Sequence, residues 1–210
     1  MIFENRQAAG RLLVNKLIDL KDEQNLLVLA IPRGGVVVGK ELAANLKCPL
    51  DVIITKKIGA PGSPELAIGA VGVIGEPIID EKLATQVGAD EKYLQSSISK
   101  IKSEIERREK EFRQDQPLLN SKNKTVILTD DGVATGATML SAIDIVRQQE
   151  PKKIIVAVPV IAKDSLVKIE QLADGVVYLE APEQFFAVGQ FYKEFEQVSD
   201  EEVIKILKLT

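Results

Sequence analysis

The stretch Val126-Ile127-Leu128-Thr129-Asp130-Asp131-Gly132-Val133-Ala134-Thr135-Gly136-Ala137-Thr138-Met139 decides how the chain is read. An apolar run of strand character delivers two adjacent carboxylates at its carboxyl end, where open α/β sheets bind ligands. A loop of Thr, Gly and Ala follows and opens a helix. Small residues let backbone N–H groups approach an anion closely, and the helix N-terminus adds partial positive charge. Asp130 and Asp131 would repel a phosphate, so they are read as acceptors for neighbouring hydroxyls such as a sugar diol. The bland alternative is a tight strand-to-helix turn with solvated acids. A Walker-type loop would need Lys after the last Gly, where this chain has Ala137, and no G-x-G-x-x-G follows any strand.

Outward from this motif, apolar runs alternate with helical patterns, which predicts an α/β fold with a parallel sheet flanked by helices. Upstream, a helix is expected over 6–22 with Ala9, Leu12, Leu13, Leu17 and Leu20 inside, then a strand over 26–31. That strand ends in Pro32-Arg33-Gly34-Gly35 and leads to a helix over 36–46. A strand over 51–55 is closed by Lys56 and Lys57. The glycines and prolines of 58–75 predict a mobile loop over 58–65 and a short strand or hairpin over 66–79. A long charged helix over 90–114 carries a narrow seam of Leu94, Ile98, Ile101, Ile105 and Phe112, which suits a surface helix or a partner contact. Downstream come a helix to about Gln149, strands over 154–158 and 176–179, a helix over 163–172, and a last helix over 199–207 capped by Ser199 with Glu202. One domain over 1–210 is expected, with 90–114 inserted and 180–210 as a C-terminal hood or packing segment.

Composition prunes the chemistry. The 210 residues hold 27 Lys and Arg against 31 Asp and Glu, a formal charge of −4, and no histidine. Ser-His or Cys-His nucleophile pairs and His-ligated metals are therefore excluded. The mildly acidic balance speaks against a duplex nucleic-acid partner, and no apolar stretch reaches the roughly 18 residues of a membrane span. The start MIFENRQAAG has no signal pattern. The lone Cys48 has no internal disulfide partner and is expected as a small core residue at a strand entrance. These features predict a cytoplasmic protein.

Residues 126–139 resemble the phosphoribosyl-pyrophosphate (PRPP) motif of the type I phosphoribosyltransferases. The resemblance implies that fold, with a small hood, and it assigns Asp130 and Asp131 to the ribose hydroxyls. It also implies that Ala134, Thr135, Gly136, Ala137 and Thr138 hold the 5′-phosphate. In that family the turn after the first sheet strand binds pyrophosphate, and Arg33-Gly34-Gly35 sits there; a planar donor fork followed by two glycines suits phosphate oxygens. The family's flexible loop corresponds to 56–65, which makes Lys56 and Lys57 candidate pyrophosphate contacts. The implied reaction is displacement of pyrophosphate from C1 of PRPP by a nitrogen nucleophile, with Mg2+ held mainly through PRPP rather than by direct side-chain ligation, Asp130 or Asp131 being the candidates if a side chain takes part.

The resemblance departs from the hypoxanthine-guanine enzymes at Ala134, where they carry an Asp, so the acceptor is left open beyond a small nitrogenous compound such as a nucleobase. The aromatics Tyr178, Phe185, Phe186, Phe191, Tyr192 and Phe195 offer either a stacking surface for it or a packing cluster. The helix with Arg107, Arg108 and Arg113 is a candidate lid or dimer element, otherwise a solvated helix, and a homodimer is the expected assembly. The chain also resembles stand-alone predicted phosphoribosyltransferases that share the Pro-Arg-Gly-Gly segment and the ending from Ala187 to Glu202. A PRPP-binding regulator without turnover is the alternative function.

Overall fold

The computed structural model describes every residue except Val73, Asp115 and Thr210, and all side chains of the rest save that of Glu65. Val73 of the expected 66–79 hairpin and Thr210 of the expected 180–210 segment thus lie outside the described residues.

Five strands, β1 (Leu26–Ala30), β2 (Leu50–Val52), β6 (Thr125–Thr129), β7 (Lys153–Val160) and β8 (Gly175–Glu180), form one all-parallel sheet in the order β2-β1-β6-β7-β8. Their runs of Leu, Val and Ile are continuous rather than alternating because helices cover both faces. On one side α1 (Arg6–Lys16), α2 (Gly34–Leu46) and α7 (Asp200–Leu207) enclose Leu13, Val28, Val36, Leu42, Ile127 and Val203. On the other, α5 (Ala137–Arg147) and α6 (Lys163–Glu170) close over Leu27, Leu29, Val126, Leu128, Met139 and Ile143. From β1 the sheet runs one way to β2 and the other way to β6, so the crevice at the carboxyl ends of β1 and β6 is a topological switch point.

Residues 58–65, expected as a loop, belong instead to a hairpin. Strands β3 (Thr55–Ala60) and β4 (Ser63–Gly72) pair antiparallel, with β5 (Ile78–Ile79) added to β4. Lys56 and Lys57 lie within β3 rather than closing the preceding strand, which ends at Val52. The breakers made local geometry instead of disorder. Gly62 takes a left-handed φ of +71° at the turn, and register shifts at Ile58/Gly59 and Gly59/Ala60 absorb the irregular residues. Ile58, Ala60, Ile68 and Val71 are buried and anchor the hairpin to the core.

A short helix α3 (Glu81–Gln86) leads to α4 (Glu91–Arg113), capped by Asp90, whose carboxylate accepts from Tyr93 N–H. Its seam is partly or fully inside: Ile105 and Phe112 are buried, and Leu94, Ile98 and Ile101 pack on the same core. Arg113 departs from the solvated reading. Its side chain is 5% exposed and bridges Asp51 (2.8 Å) and Glu109 (2.9 Å). Arg107, by contrast, is exposed and pairs with Glu111 one turn on. Cys48 is half-buried just before β2, and burial raises its thiol pKa to about 11. No helix among the described residues is long and apolar enough to cross a membrane.

Candidate active site

At the switch point the two motifs meet. The Pro32–Arg33 peptide is cis, and the turn it begins carries Gly34 and Gly35 against the acid pair. A Cβ on Gly34 would lie 1.9 Å from Asp131 Oδ2, and one on Gly35 would lie 2.8 Å from Asp130 Cα. Glycine is therefore required at both places by close approach. The structure thus brings Arg33-Gly34-Gly35 and Asp130-Asp131 together although about a hundred residues separate them in sequence.

Each carboxylate commits one oxygen to the protein. Asp130 Oδ1 accepts from the Asp131 backbone N–H at 2.8 Å, and Asp131 Oδ2 accepts from Arg6 Nε at 2.7 Å. Burial, and then the neighbouring Asp131 charge, push the Asp130 carboxyl well above the usual carboxylate range. Arg6 belongs to no sequence motif of the site. Its signal is its place on the inner stripe of α1, three residues before Ala9 and seven before Leu13, where an arginine 8% exposed needs a partner.

The loop after the acids is built as an anion cradle. Gly136 takes φ +77°, caps α5, and accepts the first helical bond from Leu140 N–H at 2.8 Å. The N–H groups of Ala137, Thr138 and Met139 therefore precede any carbonyl partner in the helix. Ser165, 2% exposed and unremarked in the sequence, fixes the loop by donating to the Ala134 carbonyl at 2.6 Å. The β-bridge from Val133 to Ile161 ties it to the end of β7. Asp130, Gly132, Thr135, Gly136 and Thr138 line a cavity of about 200 Å³ here, with Val188 from the C-terminal segment at its edge.

Lys56 and Lys57 face this cradle across a cleft of about 310 Å³ shared with Thr135, Ala137, Thr138 and Ser141. Lys56 Nζ also meets Glu104 of α4 at 2.6 Å, and Tyr93 donates to the Gly59 carbonyl at 2.8 Å, so α4 braces the hairpin. Arg33 reaches the other way, with its guanidinium 3.6 Å from Asp200 at the start of α7.

A phosphoribosyl transferase domain model matches residues 2–194. The chain belongs to the phosphoribosyl transferase family. Proteins of two Mycobacterium tuberculosis strains, provisionally named phosphoribosyl transferases, are 37% identical over 206 residues, which is 98% of this chain and 46% of theirs. The chain thus spans about half the length of the curated relatives it matches. The solved structure of TT1426 from Thermus thermophilus is 40% identical, with a TM-score of 0.89 over 99% of this chain and 98% of that one. The type I phosphoribosyltransferase fold expected from the sequence is the fold observed. In phosphoribosyl transferase terms, the acid pair and its loop sit at the end of β6, and the Arg-Gly-Gly turn sits at the end of β1.

The aromatic residues near the C-terminus mostly pack on one another. Phe191 and Tyr192 are buried, Tyr192 stacks on Phe195 at 5.1 Å and tilts against Phe3 at 5.4 Å, while Phe186 is 84% exposed. Oxygen donors at the acid pair suit a hard cation. Among the described residues no group of three or more acids, Cys or His forms a metal cage. Asp130 and Asp131 are the side chains here that could hold a Mg2+ ion.

Proposed function

We propose that the protein transfers the 5-phosphoribosyl group of PRPP to a small nitrogen acceptor, such as a nucleobase, and releases pyrophosphate. One observation carries the reading: the carboxylates of Asp130 and Asp131 stand side by side at the end of β6, one oxygen of each fixed by an N–H of the protein, next to a loop whose helix N-terminus suits a phosphate. Two adjacent carboxylates match the two hydroxyls of a ribose, and the loop matches its 5′-phosphate.

In this reading the acid pair orients the ribose, residues 134–138 hold the 5′-phosphate, and the Arg33-Gly34-Gly35 turn receives the pyrophosphate. The C1–oxygen bond to pyrophosphate breaks as the C1–nitrogen bond forms, and the acceptor's proton leaves with solvent or pyrophosphate. A Mg2+ ion bound with PRPP, with Asp130 or Asp131 as the residues to hold it, would supply positive charge for the departing pyrophosphate. Lys56 and Lys57 add positive charge at the cleft, and the transition state is stabilised by fixed charges and exclusion of water. A chain without imidazole can manage this because the leaving group departs without a strong acid.

A regulator that binds PRPP without turnover has one observation in its favour, the engagement of Arg33 by Asp200 and of Lys56 by Glu104. The deciding experiment is pyrophosphate release from Mg2+–PRPP against a panel of purines, pyrimidines and other nitrogen compounds. Release with one acceptor class is expected. Tight PRPP binding with no release by any acceptor would make the protein a regulator.

A further inference from the structure

The N-terminal helix and the C-terminal segment converge behind the acid pair on a single side chain, Arg6. Its Nε binds Asp131 Oδ2 at 2.7 Å, its Nη1 donates to the Glu196 carbonyl at 2.8 Å, and its guanidinium lies 3.8 Å from the centre of the Phe195 ring. Phe195 stacks on Tyr192, whose hydroxyl donates to the Asp131 carbonyl at 2.5 Å. Both the side chain and the backbone of Asp131 are thus held from behind. Gly34 closes the front of the Arg6–Asp131 bridge, because a Cβ there would lie 1.9 Å from Asp131 Oδ2 and 2.9 Å from Arg6 Nε.

We propose that Arg6 is a positioning residue for the sugar hydroxyls: by holding Oδ2 it fixes the plane of the Asp131 carboxylate, and with it the orientation in which the acid pair meets a vicinal diol. The inference rests on the PRPP reading of the site and adds to it the residue that gives the pair its geometry.

The test compares ribose 5-phosphate with 2-deoxyribose 5-phosphate by calorimetry in the native chain, Arg6→Gln and Arg6→Lys, each checked for native near-ultraviolet dichroism. The native chain is expected to prefer the ribose compound by about tenfold or more. Arg6→Gln should lose that preference. Arg6→Lys should weaken binding and keep part of the preference, since it retains the charge without the planar fork. A native preference that survives in Arg6→Gln overturns the role of Arg6 and leaves the PRPP reading standing. If Arg6→Gln does not fold, Arg6→Lys decides alone, and native preference and affinity in it overturn the role. A native chain that binds neither sugar phosphate nor PRPP overturns the PRPP reading, and this inference with it.

Discussion

Gly34 sits against the Asp131 carboxylate so closely that a methyl group on its α-carbon would fall 1.9 Å from Oδ2, which Arg6 already holds at 2.7 Å. Gly34→Ala must therefore displace either the turn or the acid. Overpacking of this kind costs about 1–3 kcal/mol. We expect a lowered melting temperature and at least a tenfold loss of PRPP affinity, read by calorimetry. Native affinity in this variant would separate the turn from the sugar site.

Arg33 and Asp200 are each about one-third exposed and lie 3.6 Å apart, a pairing worth at most about 1 kcal/mol. Arg33→Ala should leave the melting temperature almost unchanged. It should weaken PRPP more than ribose 5-phosphate, which lacks pyrophosphate. Equal losses for both would remove Arg33 from the pyrophosphate site.

Glu109 offers a pH-dependent test of stability away from the site. Burial first, then opposed by Arg113 and reinforced by Asp51, raises its pKa to about 6 from an ordinary value near 4.5. Since the folded state holds this proton more tightly than the unfolded chain, its contribution is fully present below about pH 4.5 and is lost as pH rises to about 6. Across that window the native chain should fall by about 2 kcal/mol relative to Glu109→Gln, measured by urea denaturation. A constant difference between the two would show that Glu109 titrates normally.

What was legible in the sequence was local or periodic. The strand, acids, small-residue loop and helix of 126–149 are contiguous, so their chemistry could be read from spacing alone, and the continuous apolar runs gave the parallel sheet. The hairpin over β3 and β4 is hidden because its glycines and prolines carry the pattern of a loop, whereas Ile58, Ala60, Ile68 and Val71 bury its inner face. Arg6–Asp131 and Arg113–Asp51 pair residues 125 and 62 positions apart. Nothing local announces such a bond, except that an arginine on the apolar stripe of a helix must find an anion.

The function stands on the acid pair holding the ribose of PRPP, which titration calorimetry of Mg2+–PRPP measures. Asp130→Asn, which keeps the Arg6–Asp131 bridge, is compared with native protein, and Asp130→Asn/Asp131→Asn completes the series. Measurable binding is expected for the native chain, a loss of about tenfold or more in the single variant and no detectable binding in the double. Undiminished PRPP affinity in the folded double variant would contradict it.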